Sequence, residues 1–437
     1  MKIYKEFYRY VLPSMLAFAL SGVYAIADGF FVGNALGDNA LAAINVAYPM
    51  TAFMQAAGTG LGMGGAVQYA IHRSSDNMEN SRRFFGAASI LLLGTGVFLT
   101  ILFLLTGPSL LRVFGAEGEI LRLGEEYIRF VSYGAVFQVL GTGIVPFIRN
   151  MDGTVTAMAA MCAGFVTNIL LDYLFVWVFP YGMMGAAVAT VVGQAVTFVV
   201  CGAFVLRTRN LPSFHFNGEF GAILRRILAI FISPFGLTFS PNITLILVNK
   251  SAAVYGGEWA ITCYAAISYI VSVVLLLLQG VSDGSQPLVS LSYGQGRMDK
   301  ARAVRNLGYQ FALGVSLVCA VGIFLVRDQA AVLFGASAET ARNVAEVLPA
   351  FLVGFPFAAV ARVTVSYFYA AEKNLLAYLL IYGEPFLQLV FVLILPLPMG
   401  IWGTWLAVPL SQICMMVCSV IFVAKGRSGS KKPLKTP

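Results

Sequence analysis

Apolar residues run through this chain in long blocks, and polar residues gather in short intervals between them. Twelve blocks are long enough to cross a hydrocarbon core of about 30 Å at about 1.5 Å rise per residue. They cover residues 10–33, 43–70, 84–106, 127–148, 154–179, 183–206, 227–250, 260–286, 304–326, 343–369, 375–396 and 400–423. The pattern predicts an all-α polytopic membrane protein with twelve transmembrane helices and no soluble domain besides them. The first block is too long, and lacks the cleavage site, for a removable signal peptide.

Composition agrees with the pattern: 59% of the 437 residues are hydrophobic and 11% charged, against about 25% charged in soluble domains. The net charge of +8 invites a nucleic-acid reading, which its distribution excludes. With the N-terminus inside, 21 of the 28 basic residues fall in cytoplasmic segments, six outside and Arg362 within a span. This is the positive-inside bias, and it predicts both termini on the cytoplasmic side of the membrane. The basic stretch Lys425–Lys435 is expected to favour anionic headgroups. The six cysteines lie at irregular spacing inside apolar blocks, as packing residues rather than disulfides or metal ligands. No cofactor, nucleic-acid partner or second subunit is expected.

The second half of the chain repeats the first at an offset near 220 residues. Phe114-Gly115-Ala116 recurs as Phe334-Gly335-Ala336, Gly60 and Gly64 as Gly280 and Gly284, Asp152 as Glu372, and Gly182, Gly185 and Gln194 as Gly400, Gly403 and Gln412. Each half is predicted to be a six-helix bundle: a lobe at 1–206, a linker at 207–226, a second lobe at 227–424 and a tail at 425–437. An even number of spans gives both halves the same orientation, as in transporters built from parallel repeats, where substrate binds between the repeats.

Asp28 stands alone as a charge inside the first apolar block. A carboxylate at that depth costs roughly 2.5–3.5 kcal/mol even on the lenient insertion scale, and such residues mark ion and substrate paths. Ser21, Tyr24, Asp28 and Phe31 share one helical face; Asn168 and Asp172 are one turn apart, as are Thr190 and Gln194. Two carboxylates with amide and hydroxyl oxygens form a set of hard donors suited to a proton or a small cation such as Na⁺. In low dielectric, two neighbouring carboxylates cannot both ionise cheaply. The counterparts of Asp28, Asn168, Asp172 and Thr190 in the second half are Asn249, Phe386, Val390 and Val408, so the group is erased there as a unit.

At these residues the chain resembles the multidrug and toxic compound extrusion (MATE) family, in its bacterial branch. The resemblance spans all twelve blocks. It rests on Phe7-Tyr8-Arg9-Tyr10-Val11-Leu12-Pro13, Ala27-Asp28-Gly29-Phe30-Phe31-Val32-Gly33 and Ile148-Arg149-Asn150-Met151-Asp152-Gly153. Asn168-Ile169-Leu170-Leu171-Asp172-Tyr173, Gly185-Ala186-Ala187-Val188-Ala189-Thr190 and Gln286-Pro287-Leu288 complete it. The resemblance implies two pseudo-symmetric six-helix bundles and export of cationic, amphipathic drugs in exchange for inward H⁺ or Na⁺. It places the cation site on Asp28, Asn168, Asp172 and Thr190, and bending of the first helix at Pro13. Tyr24 and Gln194 are candidates for the substrate cavity. The acidic residues that some members carry in the second lobe find no match.

Asp283 and Glu384 are the acidic residues of the second-half blocks, and Arg362 is the obvious structural partner for Glu384. The glycine run Gly58–Gly65 looks like a phosphate cradle, but it lies in an apolar block and no Gly-Lys-Ser/Thr follows it. Close helix packing is its expected role. His72 and His215 lie in loops without metal-ligand spacing. An intramembrane aspartyl protease lacks its glycine-flanked aspartate motif around Asp172. A flippase for a lipid-linked precursor would favour a cluster of intramembrane Arg or Lys and extra spans, neither of which the chain has.

Overall fold

Length and apolarity make each block helical, because only a helix satisfies its own backbone hydrogen bonds in lipid. The computed structural model describes residues 2–330 and 338–428, and those residues are helical apart from short connections. Phe334-Gly335-Ala336 and most of the basic tail lie outside them. In chain order the helices are α1 (Lys2–Leu36), α2 (Asp38–Ser74), α3 (Met78–Val113), α4 (Gly118–Tyr133), α5 (Ala135–Asn150) and α6 (Thr154–Asp172). There follow a π-helical turn (Tyr173–Val178), α7 (Gly182–Thr208), α8 (Phe220–Tyr255), α9 (Gly257–Gly294) and α10 (Met298–Leu325). The remainder is α11 (Arg327–Ala330), α12 (Ala338–Leu352), α13 (Phe355–Ala370), α14 (Asn374–Ile394), α15 (Pro396–Met399) and α16 (Ile401–Ser428).

Among the described residues nine helices are individually long and apolar enough to span a membrane, and two bent pairs add one span each. These pairs, α4 with α5 and α12 with α13, bend by 57° and 47°. Each bend falls at a glycine, Gly134 or Gly354, and the two are 220 residues apart, the offset of the repeat. The remaining predicted block, 43–70, lies on α2, 37 residues long, whose Gly, Pro and interspersed Asn, Thr and Gln lower its mean hydropathy. The fourth and tenth predicted blocks are therefore broken spans rather than straight ones. Most helices also extend several residues past their apolar block, because polar ends continue the helix into the interface.

Compactness divides the chain inside two helices rather than at the 207–226 linker. One unit is Leu16–Thr238; the other is formed by Met1–Met15 and Phe239–Pro437. The repeat-matched glycines give the physical reason. In the first unit, a Cβ on Gly60 would meet Phe231 and one on Gly64 the Ile227 carbonyl, so α2 admits the N-terminal part of α8. In the second unit, a Cβ on Gly280 would meet the Met15 backbone and one on Gly284 that of Val11, so α9 admits the N-terminal part of α1. Matched glycines thus do matched work. Gly58 and Gly62 similarly bring α2 onto Val139 and Gly143 of α5, so the glycine run serves packing, as expected. The six cysteines are free.

The loops carry a second matched pair. Asp152 and Glu372 each follow a repeat-equivalent helix in a left-handed conformation, with φ of 65° and 55°. In the first unit Arg73 donates to Asp152 at 2.6 Å and to the Asn150 carbonyl at 2.9 Å, fastening the end of α2 to the α5–α6 turn. In the second, Tyr293 at the corresponding end of α9 bonds to Glu372.

Candidate functional site

The first unit gathers Asp28, Asn168, Asp172 and Thr190 from α1, α6 and α7. Helices α6 and α7 can approach closely because Gly164 and Gly193 face each other: a Cβ on either would press on the other's carbonyl. That contact sets Asn168 beside Thr190, and Asn168 Nδ2 donates to Thr190 Oγ1 at 3.4 Å. Thr190 Oγ1 in turn donates to the Ala186 carbonyl at 3.2 Å. Asn168 and Asp172 are one turn apart on α6 and buried, at 2% and 0% exposure.

The carboxyls of Asp28 and Asp172 approach each other. Around them, four buried oxygens receive no hydrogen bond from the protein: Asp28 Oδ1, Asn168 Oδ1 and both oxygens of Asp172. Native interiors satisfy nearly all buried acceptors, so such a cluster calls for a ligand that supplies positive charge or a proton. The donor set is oxygen only, which suits H⁺ or a hard cation such as Na⁺ and offers nothing to a soft metal. The α-helix of α6 also ends at Asp172 and passes into the π turn, a local register change that is frequent at functional positions.

Tyr24 lies against this group as its helical face predicts. Its ring stacks on Phe165 with centroids 5.2 Å apart, and its hydroxyl is directed to Thr190. Gln194 does not join it: its side-chain oxygen is turned to Gly141 on α5. Pro13 lies inside an α1 that is helical throughout, near the point where the two units divide that helix.

Tyr127 joins the site without having been found from sequence. It is 5% exposed, its hydroxyl is directed to Thr190, and both aspartates lie close by. At the edge of its apolar block it reads as an interfacial tyrosine. The repeat held the missing signal, since its counterpart is Val347, the same polar-to-apolar exchange that occurs at Asn168, Asp172 and Thr190. Tyr127→Phe removes one hydroxyl worth about 1 kcal/mol. If this group holds an ion, its half-saturating concentration should rise roughly fivefold, with elution and thermal midpoint of the purified protein unchanged.

The second-unit candidates also meet, in another arrangement than expected. Arg362 Nη1 donates to Gln279 Oε1 at 2.8 Å, and Gln279 Nε2 donates to Asp283 Oδ1 at 2.7 Å. Glu384 hydrogen-bonds Gln412 and lies within electrostatic range of Arg362. The direct partner of Arg362 is therefore an amide on α9 rather than Glu384. Gln279 sits one turn from Asp283 and relays the charge to it.

Two stretches of the chain, 13–174 and 229–394, match the family model described as MatE, one in each half of the repeat. Multidrug export protein MepA of Staphylococcus saprophyticus is 24% identical over 329 residues, covering 74% of this chain and 71% of its own length. The protein of the same name from Staphylococcus aureus is 24% identical over 334 residues, covering 74% and 73%. A solved structure described as the outward-facing conformation of a multidrug resistance MATE family transporter of the MOP superfamily superposes with a TM-score of 0.90. It is 23% identical and covers 98% of this chain and 96% of its own. Another, described as MATE in the straight conformation, gives 0.88 at 24% identity with the same coverage. The architecture is that of a polytopic helical membrane transporter with twelve spans. The chain belongs to the multidrug and toxic compound extrusion family.

Proposed function

We propose that this protein is a secondary active exporter of cationic, amphipathic compounds, exchanging them for H⁺ or Na⁺ by alternating access. The observation that carries the reading is the set of four buried oxygens without donors around Asp28 and Asp172. The export activity in the names of the staphylococcal relatives points the same way. Asp28, Asn168, Asp172 and Thr190 hold the ion, with Tyr24 and Tyr127 closing the group through Thr190. Ion entry repacks α1 on the site side of Pro13, where the missing backbone N–H makes the helix easiest to bend. Coupling requires the ion and the drug to favour different conformations, since equal affinity for both states shifts nothing. Both termini face the cytoplasm of a bacterial inner membrane, and the protein acts as a monomer.

Efflux of a fluorescent cation from proteoliposomes, driven separately by a proton and by a sodium gradient, tests this reading. One gradient should drive uphill movement, and Asp172→Asn should remove that dependence. Transport indifferent to both gradients would reject antiport, and scrambling of a labelled lipid by the same vesicles would support the flippase instead.

A further inference from the structure

Three of the four tryptophans in the chain line one small pocket of the second unit, far in sequence from the carboxylate site. Trp259 comes from the first turn of α9, and Trp402 and Trp405 from the start of α16; Asn343 and Glu346 of α12 complete the wall. Trp405 forms the floor. It is fully buried, stacked on Tyr264 with centroids 6.0 Å apart and tilted against Phe351 at 6.1 Å. Its indole N–H has no hydrogen-bond partner. Trp259 and Trp402 are 44% and 41% exposed and leave the pocket open. Glu346 is exposed at the rim and enters no ion pair among the described residues, although Arg342 precedes it by one helical turn.

Indole faces concentrate negative potential, and rings converging on one space are the usual receptor for a quaternary ammonium ion. A carboxylate at the rim adds a full negative charge where such an ion would sit. Size narrows the ligand further: the cavity measures about 60 Å³, well below the roughly 300–1,000 Å³ of sites for drug-sized molecules. We infer that this pocket of α9, α12 and α16 binds a small organic ammonium ion, such as a quaternary amine, held between Trp259, Trp402 and Trp405 with Glu346 as counter-charge. Interfacial tryptophans also anchor helices in bilayers. That role alone would give no preference for charge, which makes the two readings separable.

The experiment uses the full-length protein in nanodiscs with Trp177, the remaining tryptophan, changed to Phe, so that emission comes from the pocket. Choline should shift the tryptophan emission saturably in the millimolar range. Its uncharged isostere, with carbon in place of the quaternary nitrogen, should leave the emission unchanged. Glu346→Gln, at an exposed position that folding tolerates, should raise the half-saturating concentration about tenfold, and Trp402→Leu should do the same while the protein elutes as before. Equal responses to choline and the isostere, or an unchanged midpoint in Glu346→Gln, would overturn the inference. Because binding is read without any ion gradient, its failure is distinct from a failure of the antiport reading.

Discussion

Replacing Asp28 by Asn should abolish gradient-driven efflux while the protein still inserts, folds and elutes as wild type. Asn keeps the shape and the polar contacts of the carboxyl but can neither carry its charge nor exchange its proton. On the antiport reading, the site then loses one of the two neighbouring carboxyls proposed to hold the ion. The loss should exceed tenfold in rate, about 1.4 kcal/mol. It should appear in uphill transport rather than in drug binding, because a ligand that no longer distinguishes two conformations drives nothing. Adding Asn249→Asp should not restore activity, since the remaining counterparts, Phe386, Val390 and Val408, supply no oxygen donors. Full efflux in Asp28→Asn proteoliposomes would place the coupling site elsewhere.

Gly62→Ala should be among the most destabilising single changes in the first unit. The added Cβ would fall on the backbone of Gly143, where α2 and α5 cross. A flexible side chain could move aside, but here the obstacle is main chain on a buried helix. The cost should therefore lie near the top of the usual overpacking range, about 3 kcal/mol. Gly94→Ala is the matched control, because a Cβ there meets nothing within 4 Å on an exposed face of α3. It should be neutral or gain roughly 0.5–1 kcal/mol from helix propensity. Thermal midpoints of the detergent-solubilised proteins, followed by size-exclusion chromatography, check both. Equal midpoints would mean that the crossing relaxes without strain.

The apolar blocks and the repeat were readable because lipid imposes them residue by residue. Each span must be apolar over its whole length, and a duplicated sequence keeps its landmarks in register. Local spacing also sufficed for Asn168 with Asp172 and for Tyr24 with Asp28, since one helical turn fixes which side chains share a face. It failed for Gln194, whose shared face with Thr190 did not reveal that its side-chain oxygen turns to Gly141. It failed again for Tyr127, which reaches Thr190 only through the packing of α4 on α7. The expected Arg362–Glu384 pair was replaced by the Gln279 relay for the same reason: charge complementarity names possible partners, and helix rotation chooses among them.

Twelve spans, their duplication and the confinement of the carboxylate group to the first half are legible in the order of residues alone. These follow from hydropathy, period and the identity of residues at matched positions, all of them local or one-dimensional properties. Three-dimensional packing sets the division of α1 and α8 between compact units, the breaks of two spans at Gly134 and Gly354, and the four oxygens around Asp28 and Asp172 left without donors. Those outcomes depend on which backbones can touch. That is set by where glycines on one helix meet another helix distant in sequence, a property of pairs of helices that no single stretch of sequence contains.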